Sequence, residues 1–112
     1  MNKKYEFTGE TIDWHGHTLR QIMRISDKLV GGWIESEENL SHNGECFVFD
    51  NAKVYDNANI SDNAEISGNA EVHGTAKVFE DAIVFGNAEV CGNATICGNT
   101  AFFFGKAPKE GH

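Results

Sequence analysis

The chain has 112 residues, enough for one domain or for a repeat solenoid with a small cap, and for only a modest core. Seventeen acidic against nine basic side chains give a formal net charge of −8, which argues against nucleic acid as a partner because phosphates need clustered Lys and Arg. No apolar run approaches the roughly 20 residues of a membrane helix, and the three cysteines form no CxxC pair. We therefore expect a cytoplasmic protein with neither membrane association nor a disulfide framework.

Residues 1–47 are predicted to form a small β-rich cap. Short alternating stretches at residues 4–9, 11–14 and 17–25 predict strands, with a turn at His15-Gly16. Residues 31–34 predict a bend into a further strand, and residues 36–40 predict one helical turn. A cap is physically needed at this position because the open end of a solenoid exposes apolar core and unpaired strand edges.

Residues 48–102 repeat with a period of six. Each unit begins with a branched apolar residue and has a small one four places later, usually Ala, with Asp-Asn or Gly-Asn turn signals between them in most units. A period of six cannot place apolar residues on one side of a helix, whereas a short strand followed by a corner places both of these positions inward. The branched positions are Val48, Val54, Ile60, Ile66, Val72, Val78, Val84, Val90 and Ile96, followed by Phe102.

This pattern resembles the hexapeptide-repeat proteins. The resemblance implies a left-handed parallel β-helix with three units per triangular coil, so residues 48–102 are predicted to form about three coils. The predicted fold class is therefore all-β, with a cap at residues 1–47 and a C-terminal cap or tail at residues 103–112. Residues 5–11 and 31–42 are also similar to a group of short proteins of bacteria and their phages, which implies a phage-borne accessory protein.

Aromatic side chains recur at the position that follows each branched residue and points outward. One column of the predicted prism contains Phe49, Phe85 and Phe103, which is unusual for a surface and predicts contact with another copy or with the folded-back N-terminal segment. A homodimer or homotrimer is therefore expected. The predicted interface residues are Phe49, Phe85, Phe103, Tyr55, Phe79 and Phe104.

His73 is the candidate catalytic residue, because it is the only histidine within the repeat and lies at an outward position. The hexapeptide-repeat proteins that this chain resembles include acyltransferases, which use a histidine as the base in the cleft between neighbouring subunits. Those enzymes carry an extruded loop, whereas no insertion interrupts the spacing here, so His73 is expected to be a plain surface residue.

No metal or other cofactor is predicted. Some hexapeptide-repeat proteins are carbonic anhydrase-like enzymes, and in them three histidines of the coils hold the metal. The resemblance would therefore require three histidines in the repeat, and this repeat contains one. His15 and His17 would share a strand face only if no turn separated them, and Gly16 favours a turn. Asp50, Asp56 and Asp62 are predicted to stabilise corners rather than to bind calcium, and Cys91 and Cys97 to be inert on different faces.

These observations predict a non-enzymatic, oligomeric binding or scaffold protein. One alternative is an acidic inhibitor of a host protein that has a basic surface, such as a nucleic-acid-binding or defence protein. The other alternative is an acyltransferase-like enzyme that uses His73 at a subunit interface.

Overall fold

The computed structural model describes residues 3–102 and the backbone of residues 106–107. Within these residues, one 3₁₀ turn at Glu37–Asn39 interrupts an otherwise all-β chain, in which an N-terminal β-hairpin leads into a parallel β-solenoid. The predicted fold class, an all-β parallel β-helix with a β-rich N-terminal piece, is confirmed.

The hairpin consists of antiparallel strands β1 (Tyr5–Trp14) and β2 (His17–Arg24). The predicted turn between them is confirmed, and both of its residues have positive φ, 50° at His15 and 85° at Gly16. Strand β3 (Val30–Ile34) pairs antiparallel with β2. The predicted helical turn at residues 36–40 is the 3₁₀ turn, whose first N–H groups are capped by Ser36.

The remaining strands are two residues long and lie on three faces of a prism. Face 1 contains β4 (Phe47–Val48), β7 (Glu65–Ile66), β10 (Ile83–Val84) and β13 (Ala101–Phe102). Face 2 contains β5 (Lys53–Val54), β8 (Glu71–Val72), β11 (Glu89–Val90) and β14 (Lys106–Ala107), and its sheet continues through β3 and β2 to β1. Face 3 contains β6 (Asn59–Ile60), β9 (Lys77–Val78) and β12 (Thr95–Ile96).

The solenoid has about four turns rather than the predicted three, because chain on both sides of the repeat joins its sheets. Strand β3 pairs in parallel with β5, and Leu40 forms a bridge to Ile60, so part of a coil precedes Val48. Strands β13 and β14 pair with β10 and β11 and begin a further coil at the other end.

The core lies inside the prism, as the period of six predicts. The branched residues from Val48 to Val90 are fully buried, and the alanines from Ala52 to Ala88 are buried with them. Residues 18 positions apart, such as Val54 and Val72, stand directly above one another in parallel register. Each buried branched side chain contributes roughly 1.5–3 kcal/mol by leaving water, so stacking of coils is the main source of stability.

Corner aspartates connect one coil to the next. Asp50, Asp56 and Asp62 have φ of 58°, 60° and 58°, in the left-handed region that Asp tolerates better than most residues. Their Oδ2 atoms each accept a 3.0 Å hydrogen bond from a backbone N–H one coil further on, at Gly68, Gly74 and Glu80. The predicted role of these carboxylates in the corners is confirmed.

Strand β3 approaches the first coil so closely that it requires glycine. A Cβ atom on Gly31 would lie 2.5 Å from the carbonyl oxygen of Val48, and one on Gly32 would lie 2.5 Å from that of Ala52. The paired glycines therefore allow the cap to close over the end of the apolar core.

One buried and one exposed polar contact fix the cap. The hydroxyl of Tyr5 donates a 2.6 Å hydrogen bond to the carbonyl oxygen of Leu40, and the Tyr5 ring stacks on His42 with centres 4.0 Å apart. Nε2 of His42 lies 2.8 Å from Oε1 of Glu37. Hydrogen bonds from His42 and then Lys3 lower the pKa of Glu37, so this carboxylate remains charged.

Candidate functional site

The tip of the β1–β2 hairpin lies over face 2 of the solenoid. The indole N–H of Trp14 donates a 3.2 Å hydrogen bond to Oε1 of Glu71, and the Lys53 ammonium lies 4.3 Å from the centre of the Trp14 ring. The hydroxyl of Tyr55 donates to the same Glu71 oxygen at 3.1 Å. Although Tyr55 points out of the solenoid, these contacts leave it only 5% exposed.

Three rings form a column along face 2. The ring centre of His17 lies 4.8 Å from that of Tyr55, and Tyr55 lies 4.9 Å from His73, with the planes of the last two within 3° of parallel. Tyr55 and His73 follow paired residues of β5 and β8, so their spacing matches the strand separation of about 4.8 Å. Burial and the Glu71 carboxylate raise the pKa of Tyr55, which keeps the phenol neutral.

Two carboxylates contact His17, one at each nitrogen of its ring. Nδ1 lies 3.1 Å from Oε2 of Glu35, and Nε2 lies 3.2 Å from Oδ1 of Asp56. The hydrogen bond with Glu35 raises the pKa of His17 and favours the imidazolium. We call His17, Glu35 and Asp56 the lower group; one side-chain donor atom from each lies within 4.8 Å of the other two.

A second cluster lies one coil further along the same face. Nε2 of His73 is 2.8 Å from Oε2 of Glu89, and Nδ1 of His73 is 3.8 Å from Oδ2 of Asp56. We call His73, Glu89 and Cys91 the upper group; their donor atoms also lie within 4.8 Å of one another. All three residues are half-buried, and together they offer nitrogen, oxygen and sulfur to an ion.

The part of face 1 nearest the cap is covered by the N-terminal segment. Phe47 is fully buried against Gly31, and Phe49 is half-buried with its ring 5.1 Å from that of Phe47. The guanidinium of Arg24 lies 5.2 Å and 5.7 Å from these two ring centres. The Arg24 charge is oriented by Asp27, whose pKa it lowers to about 2. The folded-back segment thus contacts Phe49, as one of the two predicted arrangements requires.

Further along face 1, apolar side chains face outward. Ile83 is 38% exposed and Phe85 is 37% exposed, and the two flank the inward Val84. The other large apolar residues with comparable exposure in the described part of the chain are Leu29 and Val30, which lead into Gly31 beside Phe47.

The structure separates the remaining predicted residues. Phe79 is half-buried on face 3, away from Phe85, and Phe103 and Phe104 lie outside the described residues. His15 lies in the hairpin turn, so it does not share a strand face with His17. None of the three cysteines, all within the described range, is part of a disulfide.

Sequence reasoning missed the lower group and the upper group. The signal for the upper group is present in the sequence, because Cys91 lies 18 residues after His73 and Glu89 lies two residues before Cys91 on the same side of a strand. The sequence contains no corresponding spacing for the lower group, because His17 belongs to the hairpin and the hairpin lies outside the repeat.

Comparison with models of known protein families gives no match, and no curated protein is significantly similar to the chain. The resemblance to hexapeptide-repeat proteins and to short phage proteins therefore stays a prediction. In the described part of the chain, no helix has the length and apolar composition needed to cross a membrane.

Proposed function

We propose that the protein is a non-enzymatic binding or scaffold protein that associates with a second copy of itself through face 1. The observation that carries this proposal is the exposure of Ile83 in β10 and of Phe85 just after it, with Leu29 and Val30 exposed beside the covered end of the same face. Adjacent apolar side chains on a surface typify protein interfaces, whereas scattered ones need no explanation.

The distribution of charge favours face 1 over face 2, whose outward positions include Glu71 and Glu89. The outward positions around β7 and β10 are Glu65, Ser67, Ile83 and Phe85, which include a single carboxylate. Two copies that each carry a net charge of −8 repel one another, and contact through a weakly charged face keeps the like charges apart. A two-fold arrangement would place the same patch on both sides of the contact.

Single substitutions test this interface. Ile83→Ser and Phe85→Ser should each weaken self-association by about tenfold. Just over a third of each side chain is exposed and can be buried by association, which is worth roughly 0.5–1 kcal/mol per copy, and both copies of a two-fold dimer carry the substitution. The dissociation constant would be measured by sedimentation equilibrium. Phe79→Ser is the matched control, since Phe79 has the same repeat position on face 3 and its loss should leave the constant unchanged.

Two outcomes would contradict the proposal: wild-type values in both face 1 variants, or an equal loss in Phe79→Ser. The two alternatives, an acidic inhibitor and an acyltransferase that uses His73, stay predictions. Acyl transfer that is abolished by His73→Ala would support the enzyme, and loss of a basic partner between low and moderate salt would support the inhibitor.

A further inference from the structure

The upper group has the composition of a site for a borderline divalent cation. Cysteine sulfur, histidine nitrogen and carboxylate oxygen are the ligands that Zn²⁺ prefers, whereas Ca²⁺ and Mg²⁺ take oxygen ligands. His73, Glu89 and Cys91 supply one of each, and every pair of these donor atoms lies within 4.8 Å. Donor atoms around one tetrahedral Zn²⁺ are separated by roughly 3.3–3.6 Å, so no pair of these atoms has to approach by more than about 1.5 Å to share one ion.

Regular strands position these three side chains. Glu89 and Cys91 are two residues apart at β11, and residues so spaced point to the same side of a strand. His73 follows β8, which pairs in parallel with β11, so His73 stands next to Cys91 across the ladder. The backbone N–H of His73 donates a 2.9 Å hydrogen bond to the carbonyl oxygen of Val90, which fixes this register.

The His73 ring is also oriented as a metal ligand would be. Its Nε2 faces Glu89 at 2.8 Å, while Nδ1 faces Oδ2 of Asp56 at 3.8 Å. Histidines that bind metals commonly direct their second nitrogen toward a carboxylate, which fixes the tautomer and strengthens the ligand. Stacking on Tyr55, which is itself held by Glu71, restricts the plane of the ring.

We propose that His73, Glu89 and Cys91 form a Zn²⁺-type metal site on face 2, with a fourth coordination position left open to water. His73 would bind through Nε2, Glu89 through a carboxylate oxygen and Cys91 through its thiolate. The Asp56 carboxylate lies 3.8 Å from Nδ1 of His73, beyond hydrogen-bond distance, so the stacked Tyr55 ring rather than Asp56 fixes the plane of the imidazole. This site lies on a different face from the proposed self-association surface, so the two proposals are tested independently.

Cobalt(II) is the probe for the test, because a cobalt–thiolate bond has a charge-transfer absorption that other ligands do not produce. The full chain, reduced with a phosphine, would be titrated with Co²⁺ and then with Zn²⁺ as a competitor. We expect one Co²⁺ per chain with thiolate absorption, and displacement of that absorption by Zn²⁺. Absence of the thiolate absorption in the wild-type protein would overturn the proposal.

Matched variants locate the ion. Cys91→Ser should abolish the thiolate absorption, whereas Cys97→Ser, at the same repeat position on face 3, should keep it. Glu89→Gln and His73→Gln should weaken binding by at least about tenfold. Circular dichroism would establish that each variant is folded. If His73→Gln disturbs the stacked rings of face 2, Cys91→Ser still tests the proposal.

His17→Gln distinguishes the upper group from the lower group. This variant should keep the thiolate absorption and the stoichiometry of the wild-type protein. If instead His17→Gln removes metal binding and Cys91→Ser retains it, the ion lies among His17, Glu35 and Asp56, and the assignment to the upper group is wrong.

Discussion

At the scale of single residues, the corner aspartates combine an unusual backbone conformation with a hydrogen bond between coils. Asp62 has φ 58°, and its Oδ2 accepts a hydrogen bond from the backbone N–H of Glu80. Asp62→Ala should lower the free energy of unfolding by about 2 kcal/mol, because Ala loses the acceptor and is strained in the left-handed region. Urea unfolding followed by circular dichroism measures the change.

Two further substitutions at this position separate the causes. Asp62→Asn keeps an oxygen acceptor and tolerates positive φ, so its stability should remain within about 0.5 kcal/mol of wild type. Asp62→Gly removes only the side-chain hydrogen bond and should lie between Ala and Asn. Equal losses for Ala and Asn would show that neither the backbone conformation nor the hydrogen-bond acceptor accounts for the loss at this corner.

His17 provides a prediction about pH. Its pKa is raised above the ordinary value of 6.5, first by the hydrogen bond with Glu35 and also by the charges of Glu35 and Asp56. The stabilisation from this contact is therefore complete below pH 6.5 and is lost as the pH rises through the pKa of the folded state. Glu35→Gln should lower the His17 pKa toward 6.5 in an NMR titration.

Glu35 also accepts a hydrogen bond from the backbone N–H of Asp56, and the side-chain oxygen of Gln can still accept it. The substitution Glu35→Gln therefore removes the charge and keeps this second contact. Glu10→Gln is the control, since Glu10 is exposed on β1 and should leave the His17 titration unchanged. An unaltered His17 pKa in Glu35→Gln would remove the assigned cause of the shift.

Residue roles within the repeat were predictable from the sequence, whereas those outside it were not. The inward positions of Val54 and Val72 and the corner position of Asp62 follow from the period of six alone. His17 meets Asp56, which is 39 positions further along the chain, only because the hairpin tip lies over face 2. That position depends on the packing of Trp14 and the rings, which no local pattern determines.

At the scale of elements, the 3₁₀ turn connects the cap to the first coil through Asn39, which is buried. Its Oδ1 accepts hydrogen bonds from the backbone N–H groups of Glu35 and Ser36, and its Nδ2 donates to the carbonyl oxygens of Asp56 and Ala58. The sequence predicted a helical turn here but gave no indication that Asn39 would bond to both segments.

Asn39→Asp tests this connection because it replaces the donor nitrogen with an oxygen. The buried carbonyl oxygen of Ala58 and the partly buried one of Asp56 then lose their donor and face a carboxylate, so the free energy of unfolding should fall by about 2 kcal/mol near neutral pH. Burial raises the pKa of such a carboxyl group, so the loss should be smaller at acidic pH, where the group is protonated.

Asn57→Asp is the control for this substitution, since Asn57 is exposed at a corner of the first coil. Chemical unfolding at several pH values should show little change in the control. A pH-independent loss in Asn39→Asp, or an equal loss in Asn57→Asp, would contradict the proposed role of the Asn39 amide.

At the scale of the whole molecule, the repeat determined the architecture, but the extent of the solenoid required the structure. Units of six residues predict short strands, the resemblance to hexapeptide-repeat proteins implies three faces, and three faces are observed. Strand β3 was assigned to the cap because residues 1–47 lack the repeat. It nevertheless extends the sheet of face 2, since the missing side chains of Gly31 and Gly32 allow close approach to the first coil.

The two candidate sites also differ in how far sequence could identify them. The outward column of aromatic residues was visible from the period, but the burial of Phe47 and Phe49 by the N-terminal segment was not. In the described part of face 1, the large apolar side chains that remain exposed are Ile83 and Phe85, and they carry the proposed function.

The most direct test of that function is the solution mass of the wild-type protein, measured by light scattering during size exclusion in low and in moderate salt. Association through an apolar face should give a multimer at both salt concentrations, because apolar contacts are not screened by salt. A monomer at every protein concentration, in either buffer, would contradict self-association through face 1.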